Sequence, residues 1–111
     1  MENTGFEKAR IFDFTEEAEY SENGIVSKRI LEKKTGNITL FSFDAGQKLS
    51  EHTAPFDAVV QVIEGKAEIM IAGNSFILDA EKSIIMPANI PHAVHAVARF
   101  KMLLTMIKEP V

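Results

Sequence analysis

Apolar and polar residues exchange along this chain in short runs separated by turn-forming pairs. Ile25 to Leu31 is a short apolar-rich run, and Gly36-Asn37 turns the chain into a second run, Ile38 to Phe43, which ends at Ala45-Gly46. Phe56 to Ile63 is almost continuously apolar, the pattern of a strand buried on both faces. A turn is predicted at Glu64-Gly65-Lys66. Beyond it, Ala67 to Ala72 and Ser75 to Leu78 flank Gly73-Asn74, a pair suited to a primed hairpin turn because both residues tolerate positive φ. Ser83 to Met86, His92 to Ala98 and Phe100 to Ile107 complete the series. In the last run Phe100, Met102, Leu104 and Met106 share one face, while Lys101 and Thr105 share the other. Many short strands with frequent turns and no long helical period predict an all-β sandwich or barrel. Phe41, Phe43, Phe56, Phe76 and Phe100 are its expected core aromatics. Arg10 to Phe14, ahead of the main strands, alternates as a short edge segment would, and such an edge is protected by pairing with another chain.

Composition narrows the class. A chain of 111 residues supports one domain with one core. Net charge of −4 leaves no basic footprint for nucleic acid. The acidic stretch Asp13 to Glu22 reads as a solvated segment with a helical turn. No cysteine is present, which removes disulfides, thiolate metal sites and thiol nucleophiles. Met1-Glu2-Asn3 opens without a basic or apolar leader, and no apolar run approaches the roughly 18 residues of a membrane span. A cytoplasmic protein without membrane partners is expected.

Candidate chemistry gathers in two places. Gly46-Gln47-Lys48-Leu49-Ser50-Glu51-His52 is followed by Val62-Ile63-Glu64-Gly65-Lys66-Ala67, and later comes Ile85-Met86-Pro87-Ala88-Asn89-Ile90-Pro91-His92. These segments resemble the two conserved motifs of the cupin superfamily, over roughly Gly46 to Ala96. The resemblance implies a single-domain jelly-roll β-barrel, with the conserved barrel over 36–111. Residues 1–35 would pack on it and contact a second copy, giving a homodimer. It places His52, Ala54, Ala58 and His92 at the four positions where such proteins carry metal ligands. Two imidazoles and two methyl groups therefore stand there. Glu81 occupies the position of one motif glycine and Asn89 that of another, the latter tolerant of a left-handed turn.

Alternation along a barrel wall aims Ala58, Val60 and Val62 to one side and Gln61 to the other. The expected pocket is His52, Ala54, Ala58, Val60 and His92, with Met86 and Met102 near it. Gln61, the only polar side chain between Ala58 and Ile63, is a further candidate metal ligand if a bulge turns it inward. His95, three residues after His92, belongs to the opposite face. No residue is assigned a catalytic role. The leading reading is a protein that binds a small molecule around His52 and His92. The alternatives are a divalent-metal-dependent enzyme of the dioxygenase, isomerase or decarboxylase kind, using Fe, Mn, Ni, Zn or Cu, and a structural module with a vestigial site.

Overall fold

The structure is a computed structural model that describes residues 6–109; Met1-Glu2-Asn3 of the sequence reading lies outside them. One helical turn, α1 (Phe14–Glu17), precedes seven strands: β1 (Ile25–Lys33), β2 (Gly36–Phe43), β3 (Lys48–His52), β4 (Asp57–Ile71), β5 (Asn74–Asp79), β6 (Ser83–Met86) and β7 (His92–Ile107). All the pairings are antiparallel. The long strands β4 and β7 pair along most of their length and are shared by two sheets. The first half of β4 and the second half of β7 join β1, β2 and β6; their other halves join β3 and β5. Two sheets joined through common bent strands make the jelly-roll barrel.

The turn predicted at Glu64-Gly65-Lys66 is instead a bulge inside β4, where register shifts occur at Val62/Glu64 and at Gly65/Ala67. The chain bends there and continues pairing with β7, so two predicted strands are one. Gly65 makes this possible. Its φ is +86°, and a Cβ would press into the Arg99 carbonyl oxygen and approach the Phe100 Cα to 2.7 Å. His92 to Ala98 and Phe100 to Ile107 are likewise one strand. The β4–β5 hairpin turns at Ala72-Gly73, with Asn74 paired to Ile71, one residue earlier than predicted. Both turn residues have positive φ, 53° and 82°, as a type I′ turn demands.

Directly paired residues point to the same face, so the register sorts the side chains. Ala58, Val60 and Val62 of β4 stand beside Met106, Leu104 and Met102 of β7, facing inward. Deeper in the barrel Phe43 stacks on Phe100, with ring centroids 4.5 Å apart. Phe76 departs from expectation: on edge strand β5 it lies 41% exposed.

The outer face of the β1–β2–β7–β4 sheet is also covered. Phe6, Phe12 and Phe14 pack over Ile30, Leu40 and Leu103, with Ala18 in the same cluster. Arg10 to Phe14 therefore forms no strand. Its Asp13 caps α1 by accepting from the Thr15 amide, and Ile11 remains exposed. Lys101, on the face opposite Phe100, Met102, Leu104 and Met106, is 8% exposed and donates to the Thr15 carbonyl at 2.8 Å. Tyr20 donates to Glu64 Oε2 at 2.7 Å, under the guanidinium of Arg99. Burial first, and then this bond to Glu64, push the Tyr20 hydroxyl well above its ordinary pKa.

Candidate functional site: a facing histidine pair at the mouth of the barrel

His52 ends β3 and His92 begins β7, and the two are register partners. Both precede or follow a loop at the same end of the barrel. The loop through Ala54 is tied to the loop through Asn89, whose amide donates to the Ala54 carbonyl at 2.7 Å. Asp57 accepts from the Ala88 amide at 2.8 Å, so its carboxylate faces outward and steadies the segment that delivers His92. Asn89 sits at φ 65° and Glu81 at φ 75°. The left-handed backbone of both motif positions persists without glycine.

The two imidazoles approach edge to face, with centroids 4.4 Å apart and an Nε2···Nε2 distance of 3.2 Å. Their other nitrogens define the tautomer. His52 Nδ1 lies 2.8 Å from the Ser50 carbonyl oxygen, and His92 Nδ1 lies 3.2 Å from that of Ile90. A carbonyl oxygen only accepts, so each neutral ring carries its proton on Nδ1. Each Nε2 is then a lone-pair acceptor. Two acceptors at this separation repel unless something with a positive or proton-donating end lies between them. His92 is 5% exposed, while His52 reaches in from the rim. Burial pushes the His92 imidazole below its ordinary pKa; the approach of His52 adds to this, and the Ile90 carbonyl opposes it.

Behind the pair lies a cavity of about 80 Å³. His52, Ala54, Ala58 and His92 of the expected pocket line it, joined by Leu49, Phe56, Met86 and Val94, and by Met102, Leu104 and Met106. Val60 is fully buried beneath and does not reach it. Gln61 is exposed on the outer face, opposite Ser83 and Leu103, because β4 runs from Ala58 to Val62 without a bulge. It cannot serve as a ligand. His95 also faces outward and bonds Glu68 at 3.1 Å. Met86 and Met102, expected near the pocket, line the cavity, whereas Met106 is an addition, because a strand pattern assigns a face but not a neighbour. Val94, two residues after His92, was legible from alternation alone.

A family model described as "Cupin domain" matches residues 39–107. The fold is shared with a conserved protein of unknown function from Streptococcus pyogenes, at TM-score 0.91 and 35% identity over 97% of this chain and 95% of that one. It is also shared with a cupin 2 conserved barrel domain protein from Leptotrichia buccalis, at TM-score 0.85 and 42% identity; the match covers 87% of this chain and 47% of that one. A cupin superfamily protein from Desulfitobacterium hafniense matches at TM-score 0.88 and 26% identity, over 98% of this chain and 100% of that one. No curated protein matches the sequence. The chain belongs to the cupin family. Among the described residues no helix is long and apolar enough to cross a membrane.

The family implies a divalent transition ion, and the site meets that expectation in spacing but not in number. Two nitrogens each about 2.0–2.1 Å from one ion and about 3.2 Å apart subtend roughly 100–106°, an ordinary coordination angle. Among the described residues, however, no three of His, Cys, Asp and Glu come close enough to hold an ion together. Catalytic centres of this kind use three protein ligands or more. Ala54 and Ala58 line the cavity beside the histidines and offer no donor.

Proposed function

We propose that this cupin binds a small molecule in the barrel mouth, anchored by the His52–His92 pair. The observation that carries the reading is the pair of Nε2 lone pairs 3.2 Å apart at the end of an apolar cavity. Such a pair favours a head group that donates hydrogen bonds, such as a hydroxyl or an ammonium. The apolar walls favour a short hydrocarbon body. A cavity of about 80 Å³ is roughly half the size of the ~150 Å³ apolar cavity that holds benzene. Only a few heavy atoms fit inside, and a larger ligand would protrude past His52 and Phe56.

A thermal-shift screen of chelator-treated protein against small amphipathic alcohols and amines tests this. At a hundredfold excess over Kd a binder stabilises by about 2.7 kcal/mol, or about 10 °C in the melting midpoint for a domain of this size. The shift is expected in wild type and in His95→Gln, and lost in His92→Phe. Equal shifts in wild type and His92→Phe would place binding elsewhere and end the proposal.

The alternative reading, a divalent-metal-dependent enzyme, draws support from the coordination-compatible spacing of the two nitrogens. One full equivalent of Fe, Mn, Ni or Zn in purified protein, absent from His52→Ala, would favour it over the first.

A further inference from the structure

The shortage of ligands for a divalent ion coincides with a surplus of another donor. Position 58, where the family carries its third ligand, is flanked on both sides. Ala58 pairs directly with Met86 on β6 and with Met106 on β7. Paired positions hold their Cβ atoms about 5 Å apart on the same face, and both methionines line the cavity that the imidazoles close. The sulfur of methionine sits two bonds beyond Cβ on a freely turning stem, so the space left by the short Ala58 side chain falls within its sweep. Two imidazole nitrogens and the side chains of two methionines thus border one small cavity.

We infer that this volume is a site for a soft monovalent cation, copper(I) in the cell, held by Nε2 of His52 and His92 and the thioethers of Met86 and Met106. Three considerations select that class. Thioethers are soft donors that favour copper(I), whereas manganese, iron(II) and magnesium favour carboxylates. The lining contains no Asp or Glu, so nothing neutralises the second charge of a dication in an apolar surround, and burying that charge is costly. A monovalent ion leaves half that charge. Finally, both rings are already set to present a lone pair, because the Ser50 and Ile90 carbonyls hold the proton on Nδ1. The inference rests on the reading that the two Nε2 atoms are the contact atoms of the site; it does not require an organic ligand.

Silver(I) is the probe, since it is soft, monovalent and stable in air. Calorimetry and native mass spectrometry on the full chain should find one silver ion per chain. His92→Gln should abolish the site. Met86→Leu with Met106→Leu should weaken it by about tenfold or more, while the near-equal volumes of Met and Leu keep the fold. If the Met86→Leu change disturbs the core, Met106→Leu alone, at a half-buried position, should still weaken silver binding severalfold. His95→Gln should change nothing. The inference fails if zinc binds more tightly than silver, or if both methionines can be replaced without loss of silver affinity. Silver binding that fails while donor ligands still stabilise wild type and not His92→Phe would sink the cation site alone. Loss of both would sink the shared reading of the histidine pair.

Discussion

Placing a carboxylate at position 58 tests the site most directly. In Ala58→Glu the new side chain starts from a position 5% exposed and extends between Met86 and Met106 into the cavity. Its one added methylene fills apolar space and contributes about 0.8 kcal/mol. Its carboxylate meets no cation there. The least costly response is to stay protonated, and holding a group of pKa ~4.3 neutral at pH 7 costs about 3.7 kcal/mol. The net loss is about 3 kcal/mol, or about 12 °C in the melting midpoint of a domain this size. The loss should shrink as pH falls toward 5, because the folded pKa is raised and the penalty grows only above the unfolded value. With three protein donors present, zinc or manganese at a hundredfold excess over Kd should return about 2.7 kcal/mol and bring the midpoint back. Differential scanning calorimetry with chelator, then with each ion, at pH 7 and pH 5 reads all of this. An unchanged midpoint in chelator would show that position 58 does not face an apolar cavity. A variant that divalent ions stabilise no more than wild type would show that the histidines do not converge on the space beside it.

Other expectations follow from the same geometry. The His92 imidazole has its folded pKa depressed by burial, so it leaves stability unchanged above its unfolded pKa of ~6.5 and lowers it as pH falls through the folded value. Urea unfolding between pH 7.5 and 5 should therefore show a smaller loss in His92→Gln than in wild type; equal losses would contradict the assignment. Gly65→Ala forces a Cβ into the Arg99 carbonyl at a φ of +86°, and a loss of about 4 kcal/mol or more in chemical denaturation is expected, enough to prevent folding in a small domain. Ala72→Asn in the β4–β5 turn, where φ is 53°, should stabilise by about 0.5–1 kcal/mol, and Glu81→Gly at φ 75° should do the same. Destabilisation by either would argue against a left-handed backbone at that position.

The strands were legible where apolar residues alternate or run together, and β6 and most of β2 fall where the pattern placed them. The errors arose at three kinds of place. Gly65 reads as a turn in one dimension, yet β7 supplies a partner on either side of it, and a bulge keeps more hydrogen bonds than a turn would. Phe76 reads as core by type, but it lies on a strand at the sheet edge. Alternation puts Lys101 on the face opposite Met102, but the segment carrying Phe12 and Phe14 covers that face, and the Thr15 carbonyl and Glu64 compensate its charge.

The sequence alone determined that this is a β-barrel of the cupin kind, and its motif spacing brought His52 and His92 together with Ala54 and Ala58 in one expected pocket. These follow from residue type at a fixed spacing, which a motif encodes locally. Only the tertiary structure decided what surrounds those alanines. Nδ1 of each histidine is claimed by a carbonyl two residues earlier, turning both lone pairs inward, and Met86 and Met106 arrive beside Ala58 from strands 28 and 48 residues further along the chain. Neighbours across a sheet are set by register, and register is a property of the folded ladder that no local spacing reveals.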